Sequence, residues 1–177
     1  MTFNETHFDF DDEVDRLEDR IQELTEALAD IDDDSPQAQQ LASQKQELAA
    51  QKKGVLWARG FPEDDDREGA FESDDFPMWD EDVDGVTLGA VRANVYGNIQ
   101  NDLESDPNAG GGTSATLLVA EGTVEAPYID DSMTDAQHAG VVGQLHPFYR
   151  KWAEARISEL LDPEVGNGRY SATSPAE

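Results

Sequence analysis

The chain has 177 residues, 40 of them acidic and 12 basic, for a formal charge of −28. With no cysteine, disulfides, thiolate chemistry and Cys-based zinc sites are excluded, and with no basic patch to neutralise phosphates a nucleic-acid surface is not expected. No apolar run approaches the roughly 18 residues that span a bilayer, and MTFNETHFDFDDEVD has neither the basic nor the apolar region of a signal peptide, so no membrane association and a cytoplasmic location are expected.

Such a charge opposes a compact state at ordinary ionic strength. Near 1 M salt the Debye length shrinks to about 3 Å and much of that repulsion is removed. The lysines are few: Lys45, Lys52, Lys53 and Lys151. Acids spread along nearly the whole chain, with lysine scarce, fit the high-salt cytoplasm of a halophile. An acidic, partly disordered protein is the alternative, but clear apolar helices interrupt the acid.

In chain order, residues 1–10 are mixed, with Phe3, Phe8 and Phe10 as apolar anchors of undetermined packing, or a loose terminus. From Asp11, the residues Val14, Leu17, Ile21, Leu24, Leu28 and Ile31 alternate spacings of three and four. They form one stripe of a helix, at heptad positions a and d. Acids crowd its first turn, where the helix dipole favours them. Ser35-Pro36 reads as an N-cap with proline at the first helical position. A second helix is expected to run to about Lys53, with the weaker stripe Ala38, Leu41, Lys45, Leu48, Lys52, Val55. An antiparallel helical hairpin over residues 11–54 follows, lysine stems lying along the seam and ammonium groups meeting acids of the first helix. It is either a plain structural hairpin or a partner-binding arm.

Gly54 reads as the stop of that helix. Residues 55–85 read as a short apolar run, Val55 to Phe61, followed by an acidic linker. Phe71, Phe76, Met78 and Trp79 are positioned to pin the linker to the rest. A helical domain is expected over 86–163. Thr87 caps a first helix with Leu88, Val91, Val95, Ile99 and Leu103 on one face. Ser105 to Gly112 breaks it. Thr113 or Ser114 caps a helix apolar on most sides, with Ala115, Leu117, Leu118, Val119 and Val124. Ala126-Pro127-Tyr128 ends it. Thr134-Asp135 caps a short helix to Leu145, and His146-Pro147 opens a final aromatic helix bearing Phe148, Tyr149, Trp152, Ile157 and Leu160. Residues 164–177 read as a flexible tail. The fold class expected is mainly α.

Chemistry-bearing motifs are few. Asp80-x-Asp82-x-Asp84-Gly85 matches the first half of an EF-hand loop, but Val91 stands where the bidentate glutamate belongs. In so acidic a chain this string reads as a solvated loop, with Asp80, Asp82 and Asp84 as weak metal candidates. His7, His138 and His146 lack ligand spacing and read as surface or helix-cap residues. Asn108 to Ser114, NAGGGTS, lacks the lysine of a phosphate loop, and no serine lies in a GxSxG elbow. No cofactor and no catalytic residue is expected, and the chain does not read as an enzyme.

One resemblance stands beside this reading. LLVAEGTVEAP (Leu117 to Pro127), the acidic turn Tyr128-Ile129-Asp130-Asp131, QLHPF (Gln144 to Phe148) and the closing ISELLD (Ile157 to Asp162) follow in a set order. Taken with the segment back to Val86, this pattern resembles the tail assembly chaperones of tailed viruses. The resemblance covers nearly half of the chain and leaves out the hairpin and the linker. It implies a small helical, non-enzymatic protein that coats a coiled-coil tape measure protein, helps recruit tail tube subunits and is absent from the finished particle. With the acid bias, the host would be a haloarchaeon. Leu117, Leu118, Phe148, Trp152 and Ile157 would then be core or self-association surfaces, and the stripe from Val14 to Ile31 would meet the coiled-coil client. The alternative is a structural virion component such as a neck, adaptor or tail protein, located in the virion. A cellular helical adaptor without viral connection is a third reading.

Overall fold

A computed structural model describes residues 2–32, 34–60, 74–76, 79, 83–106 and 110–161. The described chain is mainly helical with a small three-stranded sheet. Its elements run β1 (Thr2–Asp9), α1 (Phe10–Ala29), α2 (Pro36–Arg59), β2 (Gly85–Val91), α3 (Ala93–Ser105), α4 (Gly111–Gly122), β3 (Thr123–Glu125), α5 (Asp135–Gln144) and α6 (Pro147–Leu161). Among the described residues, no helix is long and apolar enough to cross a membrane.

Local chemistry sets the helix starts. The Asp9 carboxylate accepts from the backbone N–H groups of Asp11 and Asp12 at 2.9 and 3.1 Å, satisfying two of the free donors of α1. Ser35 Oγ accepts from Ala38 N–H at 3.1 Å, with Pro36 opening α2. Thr134 and Gln137 close a reciprocal capping box on α5. α1 and α2 lie side by side in opposite directions. Lys52 near the end of α2 meets Glu18 of α1 at 2.6 Å, and Arg59 in the last turn meets Asp11 in the first turn of α1 at 3.0 Å.

The sheet changes the reading of two segments. Residues 2–9 form β1, paired antiparallel with β2 through Thr6–Leu88 and Phe8–Val86. A bulge between Phe3 and Thr6 places Asn4 at φ 50°. Residues 85–91 are therefore strand, and the helix expected to begin after Thr87 begins at Ala93. Leu88, Val91 and Val95 fit helical spacing, but Val86, Leu88 and Ala90 also alternate, and all three are buried in the central strand. Gly85 and Gly89 permit the close pairing. A Cβ on Gly85 would stand 2.2 Å from the Phe8 carbonyl oxygen. Val124, expected in a helix, lies in β3.

The second helix also ends later than expected. Gly54 does not stop α2; the helix runs on through Val55, Leu56, Trp57 and Ala58 to Arg59, and Gly60 at φ 68° closes it. Gly54 is where α6 crosses: a Cβ there would stand 2.3 Å from the Phe148 carbonyl carbon. Its missing side chain serves helix packing, so the apolar run after it is the buried end of α2.

One hydrophobic core joins the first helix, α1, to the last, α6. Phe10, Val14 and Leu17 of α1, Val55, Trp57 and Ala58 of α2, Val86, Leu88 and Val91 of β2, Val119 of α4 and Tyr149, Trp152 and Ile157 of α6 belong to one cluster. Trp79 packs into it beside Phe10, Trp57, Tyr128 and Tyr149, with ring centroids 5.2 to 6.3 Å apart. The Trp57 indole N–H donates to the Phe76 carbonyl at 2.9 Å. These two anchors of the acidic segment are therefore seated on α2. Residues 61–73, 77–78 and 80–82 of the expected linker, with Phe71 and Met78 among them, and the tail expected from 164 lie outside the described residues.

Candidate interaction surface

The root of the α1–α2 pair is tied to α6 by a buried carboxylate. Glu13 is 6% exposed, and its Oε2 accepts from the Trp152 indole N–H and from Arg156 Nε, each at 2.8 Å. Arg16, one turn on, donates to both carboxylate oxygens at 3.2 and 3.1 Å. Arg156 also pairs with Glu159 and lies over the Phe8 ring, 5.6 Å from its centroid. A charge this deep is tolerated because it is paired and hydrogen-bonded. α1, α6 and β1 thus meet at one point.

A second polar thread runs through the same core. The hydroxyls of Thr123, Tyr128 and Tyr149 follow one another at 3.1 Å, and Thr123 donates to the Val119 carbonyl at 2.6 Å. Burial pushes both phenols up, Tyr149 well above the ordinary tyrosine range. Both stay neutral as hydrogen-bonding core residues. His146 is 6% exposed and accepts the Phe148 N–H at Nδ1, 3.1 Å away, so it caps α6 from inside the protein. Burial and then the nearby Arg150 hold its pKa below the ordinary histidine value.

The residues singled out from sequence fall into two sets. Val14 and Leu17 are 7% and 0% exposed inside the common core, as are Leu118, Trp152 and Ile157 at 6%, 0% and 0%. Leu117 and Phe148 are half-buried. Leu24 is buried at 4%, as is Ala38, but both lie outside the core cluster. Ile21, Leu28 and Ile31 of the same stripe, with Leu41 of α2, are half-buried and also outside it. The stripe is thus divided: Val14 and Leu17 are core, Leu24 is buried outside that core, and Ile21, Leu28 and Ile31 stay partly open. Toward the turn at 30–35, α6 reaches α2 at Glu47, which Lys151 meets at 3.7 Å.

The described residues hold no group of three or more His, Asp or Glu arranged to take a metal ion. Asp80 and Asp82 lie outside the described residues. Asp84 is exposed, and its carbonyl accepts the Phe10 N–H at 2.8 Å. A cleft of about 260 Å³ between α1 and α2 is crossed by the Lys52–Glu18 and Arg59–Asp11 pairs.

Sequence reasoning missed Glu13 and Arg156. Glu13 reads as one more acid in a first turn that favours acids, and nothing near it in sequence names a partner 143 residues away. Arg156 is one of three cations on α6, with Arg150 and Lys151, and only its place beside Trp152 and Ile157, which are buried with it, sets it apart. No protein-family profile matches the chain, nor does any curated protein or solved structure show significant similarity.

Proposed function

We propose that this chain is a non-enzymatic assembly protein that holds an elongated helical client on the open part of its α1–α2 pair. Its C-terminal pattern resembles the tail assembly chaperones of tailed viruses, and we extend that resemblance to the role: transient binding of a coiled-coil tape measure protein and of tail tube subunits, in a haloarchaeal host. The observation that carries this reading is the division of the α1 stripe. Ile21, Leu28 and Ile31 keep heptad spacing with Val14 and Leu17, yet they lie beyond the core that covers those two. A helix with its own apolar seam can extend that row, as a third strand joins a coiled coil. The body beneath, tied to α1 through Glu13, Trp152 and Arg156, is the support that holds the arm.

The test is the composition of assembly intermediates against that of finished particles. The chain should copurify with the long coiled-coil protein of the same virus and be missing from mature virions. A stoichiometric copy in mature particles would favour the structural virion reading instead.

A further inference from the structure

We propose that the Tyr96 flank of α3 is a homotypic interface, through which two copies of this chain pair antiparallel about a twofold axis. This surface is separate from the α1–α2 pair, and a client bound there would leave it open.

α3 rests on the body through few side chains. Ile99 is buried, and Val95 and Leu103 are half-buried. One flank of it carries a row at four-residue spacing, from the N-cap Arg92 through Tyr96 and the half-buried Gln100 to Glu104. Tyr96 is 42% exposed, one of three large apolar side chains so open among the described residues. Beside this row lie the small or polar residues Ala93, Gly97 and Asn101 at the same spacing. Space is open at Gly97: nothing lies within 4 Å of where a Cβ would stand. Ridges of this spacing pack into the grooves of a neighbouring helix.

Charge identifies the occupant. Two molecules at −28 repel over most of their surfaces. From Ala93 to Asn101 there is no charged residue, so a second copy can approach here. The charges at the two ends are set against the helix's own dipole. Arg92 stands at the N-cap with no side-chain cap bond, and the first turn has no acid. Asp102 and Glu104 stand at the other end, where the last turn has no base. An acid is favoured at a helix N-terminus and a base at a C-terminus, so alone α3 is wrong at both ends. An antiparallel second copy corrects both. Arg92 then faces Glu104 of the second copy, and the reverse pair forms at the other end, as a twofold interface requires. The midpoint falls at Asn98, which sets Tyr96 against Gln100 of the second copy, beside Gly97. Phe3, 38% exposed, pairs with Ala90 two residues before Arg92 and adds apolar surface at that end.

One helix face on each side buries less than the roughly 1,000 Å² of a stable interface. The pair is therefore weak and concentration-dependent. Sedimentation equilibrium of the full chain tests it, from micromolar to millimolar, at the lowest KCl that keeps native circular dichroism. A monomer–dimer equilibrium is expected. Arg92→Glu and Glu104→Arg should each weaken it at least about tenfold, while an equimolar mixture of the two should regain the wild-type constant. Each variant corrects the helix's own dipole, so thermal melts should be unchanged or higher, which separates a lost interface from a lost fold. Glu104→Arg also lowers the net charge, so weaker association in that variant points to pairing rather than bulk repulsion. Tyr96→Asp should leave the chain monomeric. A wild-type monomer throughout the range overturns the proposal. So does a dimer indifferent to Arg92→Glu and Tyr96→Asp, or a mixture no tighter than its parts.

Discussion

The Glu13 carboxylate accepts the Trp152 indole N–H at 2.8 Å across 139 residues of sequence, and Arg156 shares the same oxygen. This contact fixes the first turn of α1 to the middle of α6. Removing one member of a buried pair leaves the other charge uncompensated, at a cost of about 3–5 kcal/mol. Glu13→Ala should lose about that much in denaturant unfolding at fixed KCl. The double variant Glu13→Leu with Arg156→Met should recover most of it, because well-packed apolar replacements of a buried pair are often neutral. A loss below about 1 kcal/mol in the single variant would show that the junction rests on packing alone.

What the sequence made legible follows from the range of the interactions. Ser35-Pro36 and Thr134 were readable as helix starts because a cap is satisfied within three residues. The α1 stripe was readable because its spacing is its own. β1 was not readable: residues 2–9 are paired with residues 85–91, and neither segment names the other. Gly54 shows a different limit. Glycine marks either a helix end or a close crossing, and what decides here is Phe148, far along the chain. For the candidate surface, the row Val14 to Ile31 was visible, but its division into core and open parts depends on where α6 and β2 pack.

Gly54 and Gly140 should respond oppositely to alanine. Both are helical, and alanine is the better helix former by about 1 kcal/mol. At Gly140 nothing lies within 4 Å of the added methyl, so Gly140→Ala should stabilise by about 0.5–1 kcal/mol. At Gly54 the methyl would meet the Phe148 and Tyr149 backbone at 2.3 to 2.4 Å. α6 must move, and Gly54→Ala should destabilise by about 1–3 kcal/mol through overpacking. Thermal melts of the two variants at one KCl concentration decide the matter. Equal shifts of the same sign would place the α2–α6 crossing elsewhere.

His146 predicts a stability change in mildly acidic solution. Its folded pKa lies below the ordinary value of about 6.5, so folding favours the neutral ring. The native state then binds fewer protons than the unfolded chain, and stability rises with pH. The contribution is full above about 6.5, declines as pH falls below it and levels off beneath the folded value. Protonation also removes the acceptor for the Phe148 N–H. Glu154, whose burial raises its carboxyl, acts in the opposite direction at lower pH. Comparison with His146→Asn isolates the histidine, since asparagine caps without titrating. Melts at neutral and mildly acid pH should show a smaller drop in the variant. An equal drop would assign the effect to other groups.

The divided stripe on α1 gives the sharpest separation of folding from binding. Leu24 is 4% exposed although it lies outside the common core. An aspartate there would be a buried charge without a partner, so Leu24→Asp should cost several kcal/mol and reduce helicity. Leu28 lies one turn further on the same stripe and is half-buried. An aspartate at that position reaches water, so Leu28→Asp should cost about 1 kcal/mol or less and leave the circular dichroism native. If the open row is where a helical client lies, the order reverses for binding. Leu28→Asp, and likewise Ile21→Asp, should abolish copurification with the coiled-coil protein while the chain stays folded. The readout is a pulldown from co-expression in high KCl, paired with melts of the same preparations. Native folding with undiminished binding in both open-row variants would move the client site off α1, and a global loss of structure in Leu28→Asp would mean that its side chain is needed for the α1–α2 seam itself.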